Sequence, residues 1–569
     1  VSTSGAKSTL VGFTDASLKT LNVSGSSVLA VTNATSATAI TVTGAAGFAG
    51  AVNDTTTVFN ASGSTGLDTI TIAADATKAI TAGTGTSDEI IANAAGGTFT
   101  ASKTGAKVTG FEVLGLTAGT TGTTDASVFG ASINKIDVTA TAVSSTLTNV
   151  NQSAAINFGS AATTTTALVV GYADVSGMSD AVTVTLAGAA TSTVGTGAAQ
   201  VVTSLTLQDA NNVGIGTVSL VDNNPAFNYA GDTITTLVDP NLGTLNFSGV
   251  GGLTIGALTD TATAVAINNT GTNAAGLTIT MTDNTLGSLT FNGTGKTSVN
   301  LSDTVGGTLA LTNNGSGAVS VTDTNLVATK VLLSGAMTAT LTDGALTSLN
   351  LSDGQAVNLT DGNTTGITIS GASDNSHVSL VFAGAAAAAT DTITLGNGNN
   401  SVTDSSTAGT VNVTVGSGAN LINVSAGTAV TYAANVTLGA HVNTATAFDL
   451  IDVSISAAAA PSAVITGVAT GDQITFKDAF PVVLTTLTAL QQAVITGDAT
   501  LAAAVGHAFG YLPATAHDAA TFVWQGNTYV VENVAADSAF NAGADTVIEL
   551  VGVHTIATTI VNGTIAILT

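Results

Sequence analysis

Four aspartates, Asp283, Asp303, Asp323 and Asp343, stand 20 residues apart, each after an aliphatic–hydroxyl pair such as Met281-Thr282 or Leu341-Thr342. Carboxylates at one position of a stacked repeat have two uses. They accept backbone amides in Asx turns, or they share a hard cation such as Ca2+, which prefers carboxylate and carbonyl oxygens. At the strand spacing of roughly 4.8 Å, unshielded neighbours would repel by roughly 3 kcal/mol per pair at an effective dielectric near 20. Each must therefore face water, cap turn amides or hold a cation, and both the capping and the bridging-calcium readings apply to all four.

A second set of candidate ligands follows the calcium nonapeptide Gly-Gly-x-Gly-x-Asp-x-apolar-x. There the glycines allow a sharp turn and expose carbonyls, the Asp supplies a carboxylate, and the apolar residue turns inward. Asp391 with Ile393 fits, as do Asn400 with Val402 after Gly396 and Gly398, and Asn420 with Ile422 after Gly416 and Gly418. Upstream, Asp68 follows Gly63 and Gly66 and precedes Ile70, while Asp88 sits in a related stretch with one extra residue. Calcium is expected at one or more of these turns, more weakly where Asn replaces Asp. The competing reading is a metal-free β-helix that kept its glycine turns.

The elements that position these residues read as strands. Leu289, Leu309 and Leu349 form one apolar file at the 20-residue beat, and Phe291, Leu311, Val331 and Leu351 form the next. The fuller motif is aliphatic–hydroxyl–Asp, Leu six residues on, an apolar residue two further, then Gly. It occurs at Asp15 with Leu21, Val23 and Gly25, at Asp239 with Leu245, Phe247 and Gly249, and at Asp283 with Leu289, Phe291 and Gly293. A fixed period of this length marks stacked units that bury their apolar faces against their neighbours. Alternation such as Thr297-Ser298-Val299-Asn300-Leu301 gives each strand an inner and an outer face. The expected fold is all-β: an elongated parallel β-helix or β-solenoid with a β-roll segment and a small C-terminal β-rich domain. Residues 1–125 read as solenoid rungs with nonapeptide-like turns, 126–235 as a strand-rich irregular segment and 236–375 as the 20-residue repeat. Residues 376–447 read as a degenerate β-roll and 448–569 as the C-terminal domain. In that last part "TTLTALQQAVI" (485–495) and "DATLAAAVGHAF" (498–509) are candidate helices, and 521–534 is a candidate hairpin around Gly-Asn.

Composition narrows the function. The 569 residues carry 35 acidic groups against nine lysines and no arginine, for a net charge of −26. Nucleic acid is excluded as a partner, since phosphate neutralisation needs clustered Lys and Arg. All acids but Glu89, Glu112, Glu532 and Glu549 are Asp, which suits turns and hard-cation sites better than general solubility does. Cysteine is absent, so there are no disulfides or thiolate ligands. No run of about 18 apolar residues is present to span a bilayer. No N-terminal signal pattern is visible before the first repeat, and the chain reads as the processed or ordered part of something longer. Catalytic signals are weak: His-Glu-x-x-His and Gly-x-Ser-x-Gly are missing, the five histidines are scattered, and a catalytic groove would need clustered acids and aromatics. Phe247 and Phe291 both occupy inward positions. Asp449 and Asp452 alternate along a strand and so face apart. The chain is not expected to be an enzyme.

Degenerate nonapeptides, Thr/Ala/Gly/Asp-rich rungs, the absence of cysteine and "VTGFEVL" (108–114) together resemble the RTX-type surface-layer proteins of Gram-negative bacteria. "FDLIDVS" (448–454), "ITGVATGDQITF" (465–476), "FVWQGNTYVVEN" (522–533) and "AGADTVIELVG" (542–552) are similar to the C-terminal ends of such proteins. The resemblance implies type I secretion directed by an uncleaved C-terminal signal, folding outside the cell in millimolar calcium, and self-assembly into a two-dimensional lattice. It also implies attachment to lipopolysaccharide or the outer-membrane surface through a region not evident in these residues. A secreted or cell-attached adhesin on the same scaffold is the alternative, because flat Thr-rich faces can also bind glycans.

Overall fold

In the computed structural model the chain is nearly all-β and forms a parallel β-solenoid of about 17 turns. The structure describes all residues except 12–14, 33–35, 93–98, 100–106, 118–119, 140–142, 160–166, 174–179, 187–199, 210, 224–230, 304–305, 353, 362–364, 374–376, 385–388, 407, 426–431, 442–447, 455–460, 477–482, 516 and 558–563. It comprises two compact units, one of Val1–Leu286 with Thr290–Asn300 and Gly315–Ala318, the other of Gly287–Leu289, Leu301–Asn314 and Val319–Thr569.

Each rung consists of two strands and two turns, with successive strands entering opposite sheets. In the first unit, Thr217–Asp222, Thr244–Gly249 and Ala264–Asn269 pair in parallel in one sheet. Asp232–Val238, Leu253–Thr259 and Leu277–Asp283 do the same in the other. Thr and Val suit such pleated, half-buried surfaces, and their alternation sends Leu245, Phe247, Ile255 and Ile279 into a fully buried core. The closing glycines of the repeat motif end their strands, where the chain enters a turn. Gly249 has φ +115° and Gly293 φ +96°, and a Cβ on either would meet the carbonyl of the adjoining rung at about 2 Å, so only glycine fits.

In the second unit the 20-residue beat is an average, and this corrects the expected files. Leu309 lies beside Val331 and Val331 beside Leu349, steps of 22 and 18 residues. Val331 therefore joins the first apolar file, and Leu333 takes the place expected for it beside Leu311 and Leu351. A bulge explains part of the slip: Asp323 is paired with Leu341, and Asp343 with Leu326. Sheet register follows burial of the apolar face, and turn insertions absorb the difference in length.

The parallel sheets of the second unit run on through Leu450–Ser454, Ala463–Thr466 and Gln473–Phe476. Beyond them the chain changes character. Helices α1 (Ala489–Thr496) and α2 (Leu501–Gly510) follow, the first opened by a capping box between Thr488 and Gln491. They pack Ile495, Val505 and Phe509 against Phe522, Tyr529 and Val531 of an antiparallel hairpin, Asp518–Trp524 with Asn527–Asn533. Its two turn residues are Gln525 and Gly526, one position before the expected Gly-Asn. Both have positive φ, which matches a type I′ turn to the strand twist. Thr546–Leu550 then pairs with Ala463–Thr466, and Thr564–Ala566 folds back antiparallel on Gln473–Phe476.

Candidate carboxylate and amide ladders

Acidic and amide side chains occupy two distinct places in the rungs, strand entry and strand exit. At strand entry the residue immediately precedes an inward-pointing strand, and its oxygen accepts the backbone N–H of the equivalent residue one rung away. Asp68 Oδ1 accepts from Phe48 N at 2.8 Å, Asp88 Oδ1 from Asp68 N at 2.8 Å, and Glu112 Oε2 from Asp88 N at 3.0 Å. Asp391 Oδ1 accepts from Ile367 N at 3.0 Å. These amides start parallel strands and would otherwise be buried without partners. Burial pushes the Asp68 carboxyl up to about 7, against the Phe48 amide that lowers it. Burial also raises Asp88 and Asp391.

Asn400 and Asn420 begin a longer ladder in the second unit. Asn400 N donates to Asn420 Oδ1 at 3.1 Å, Asn420 N to Asp449 Oδ1 at 2.8 Å, and Asp449 N to Asp472 Oδ1 at 3.0 Å. The four side chains are almost completely buried. Each Asn amide nitrogen also donates to two carbonyls of its own glycine turn. Asn400 Nδ2 reaches Gly396 O and Gly398 O at 2.9 Å, and Asn420 Nδ2 reaches Gly416 O and Gly418 O at 3.2 and 2.7 Å. Those carbonyls are the oxygens that a nonapeptide turn would offer to calcium. With an amide N–H on each, these two turns are closed by hydrogen bonds without a cation. Asp391 and Asn400, nine residues apart, sit in opposite sheets, so the nonapeptide interval spans half a rung and brings no two candidates together.

At strand exit the aspartate closes its own turn. Asp283 Oδ1 accepts from Thr285 N at 2.7 Å, Asp323 Oδ1 from Asn325 N at 3.0 Å, and Asp343 Oδ1 from Ala345 N at 2.8 Å, the Asx-turn geometry. The Asp303 side chain lies outside the described residues. In the first unit Asp283 has two companions that the 20-residue spacing did not disclose. Asp239 adjoins Asp260, and Asp260 adjoins Asp283, by the pairing of Val238 with Thr259 and of Thr259 with Thr282. Asp239 Oδ1 accepts from Ile215 N at 2.7 Å and Asp260 Oδ1 from Leu242 N at 3.1 Å.

The second oxygens are less well satisfied. Oδ2 of Asp239, Asp260, Asp283 and Asp343 is buried with no hydrogen-bond partner. Burial pushes Asp239 up to about 7 and Asp260 to about 6, with the neighbouring carboxylate adding to each shift. An orphaned, buried carboxylate oxygen calls for a proton or a cation. At strand entry Oδ2 of Asp68 and of Asp449 is also buried without a hydrogen-bond partner, but at strand exit Asp239, Asp260 and Asp283 form a stack of three whose donor chemistry fits a hard divalent ion.

Outer faces carry neutral ladders. Asn246 donates to Ser219 at 3.0 Å, Asn268 to Asn246 at 2.7 Å and Asn292 to Asn268 at 2.7 Å. No protein-family model matches the chain, and no curated protein matches it.

Proposed function

We propose that the chain is a structural subunit of an extracellular, calcium-dependent surface layer that assembles from copies of itself, and that it is not an enzyme. The observation that supports this reading best is the strand-exit stack of Asp239, Asp260 and Asp283, whose buried Oδ2 atoms lack partners. Calcium held there would supply folding free energy and relieve the mutual repulsion of a chain with net charge −26. In low calcium the same stack disfavours the folded state, which would keep the chain exportable by a type I channel. The Asn ladder gives an uncharged outer face suited to repeated contacts between copies.

That face also suits a glycan, so an adhesin on the same scaffold is the second reading. Electron microscopy of the purified chain with millimolar calcium, with magnesium and with chelator separates the two. Ordered sheets that form with calcium and dissolve in chelator are expected. Particles that stay monomeric in all three conditions would overturn the assembly reading and favour the adhesin.

A further inference from the structure

The strand-entry ladder of the second unit ends in a cluster of different chemistry. His441 Nε2 lies 3.0 Å from Asp472 Oδ1 and 3.5 Å from Asp449 Oδ2. The imidazole is only 5% exposed and both carboxylates are fully buried. The other ring nitrogen, Nδ1, is 2.6 Å from the Gly439 carbonyl. That contact is favourable only with a proton on Nδ1, which leaves the Nε2 lone pair of a neutral ring facing the two carboxylates. Asp449 Oδ2 has no hydrogen-bond partner although it is buried and aimed at this point. Three lone-pair donors thus converge, and something positive must lie among them.

A proton on Nε2 makes one good hydrogen bond, to Asp472, and leaves Asp449 Oδ2 unmatched. A metal ion satisfies all three. Zinc binds imidazole nitrogen and carboxylate oxygen at about 2.0–2.2 Å in tetrahedral geometry, which sets donors about 3.3–3.6 Å apart along each edge. The observed separation of 3.5 Å lies within that range, and that of 3.0 Å is about 0.3 Å short of it. The Gly439 carbonyl on Nδ1 is the outer hydrogen bond that metal-binding histidines usually make, fixing tautomer and ring orientation. An imidazole donor favours zinc and its first-row neighbours over calcium, which takes oxygen ligands.

We propose that His441, Asp449 and Asp472 form a binding site for a divalent transition-metal ion of the zinc type, separate from any calcium sites. The site ties the His441 segment to the last two rungs of the sheet. Asp472 also meets the C-terminal strand, since its carbonyl accepts from Ile567 N at 3.0 Å. The proposal does not depend on the surface-layer reading.

The test is titration of the full chain with Co2+ and Zn2+ in buffer containing millimolar calcium, read by visible absorption and by isothermal calorimetry. One Co2+ per chain with the visible bands of four-coordinate cobalt, displaced by Zn2+ and not by calcium, is the expected result. His441→Gln should weaken binding more than about tenfold, since even outer-shell changes at metal sites cost 10–100-fold. A variant with the other four histidines, His377, His507, His517 and His554, changed to Gln should bind as the unaltered chain does. Its retained binding keeps the test decisive should His441→Gln misfold. Absence of stoichiometric binding by the unaltered chain, or loss of binding in the four-histidine variant, would overturn the proposal and leave a proton as the occupant.

Discussion

The strand-entry ladder from Asn400 to Asp472 and the strand-exit stack from Asp239 to Asp283 solve one problem in opposite ways. Both place polar side chains in register between rungs, buried from water. In the first, two positions are amides whose N–H groups occupy the turn carbonyls, so the turns are neutral and complete. In the second, every position is a carboxylate with one oxygen used and one orphaned. The comparison shows how a solenoid divides its turns between those that close by themselves and those that wait for a charge partner. Asn at a glycine turn closes two turn carbonyls with hydrogen bonds that a carboxylate could not donate.

The largest expected effect comes from undoing that closure. Asn420→Asp removes the donors to Gly416 O, Gly418 O and Asp449, and sets a new charge beside Asp449. Urea unfolding in chelator, followed by circular dichroism, should show a loss of about 3 kcal/mol or more, much of it recovered with calcium. Unchanged stability in chelator would mean that the amide is not standing in for a cation.

Next in size is the pH dependence of the metal-free chain. Asp68 and Asp239 are raised to about 7 and Asp260 to about 6 in the folded state, whereas an unfolded Asp titrates near 3.9. Between about pH 4 and 7 the folded state therefore binds more protons than the unfolded one, and this contribution to stability declines as pH rises through that window. Each pKa unit corresponds to about 1.4 kcal/mol. The urea midpoint in chelator should rise on going from pH 7.5 to 5.5, and a flat or falling trend would contradict the raised carboxyls.

Asp260→Asn sharpens the same point at one site. Removing the middle charge of the stack should raise the unfolding free energy in chelator at pH 7.5 by about 1–2 kcal/mol and shrink the response to calcium. A decrease would mean that the Asp260 charge is already compensated. The smallest effect is expected for Thr285→Ala, which loses the hydroxyl bond to Asp283 Oδ1 but keeps the backbone one. It should cost about 0.5–1.5 kcal/mol, equally with and without calcium.

The two-faced strands were legible because side-chain alternation is local: Leu245 and Phe247 announce an inward face wherever their rung sits. Register was not, since it depends on how many residues each turn consumes. That is why Asp323 lies beside Leu341 and why Asp260 was missed between Asp239 and Asp283, which the repeat motif had already matched. The Asx-turn use of Asp283, Asp323 and Asp343 followed from residue type alone. A subtler signal would have found Asp449 and Asp472. Asn400, Asn420, Asp449 and Asp472 each stand two residues before an inward aliphatic, as do Asp68 and Asp88. Rungs of unequal length hide that recurrence from any fixed period. His441 carries no such mark, because its partners come from two later turns.

The C-terminal segment has a consequence for how copies can meet. In the second unit both final solenoid strands are already paired, Ala463–Thr466 by Thr546–Leu550 and Gln473–Phe476 by Thr564–Ala566. A bare strand there would template another chain and extend the ladder without limit. The edge that follows is instead the three-residue antiparallel strand Thr564–Ala566, a short and poor template for a further parallel rung. In the proposed layer, copies would then meet sideways, through the walls of the rungs, and growth in two lateral directions would give a film instead of a thread.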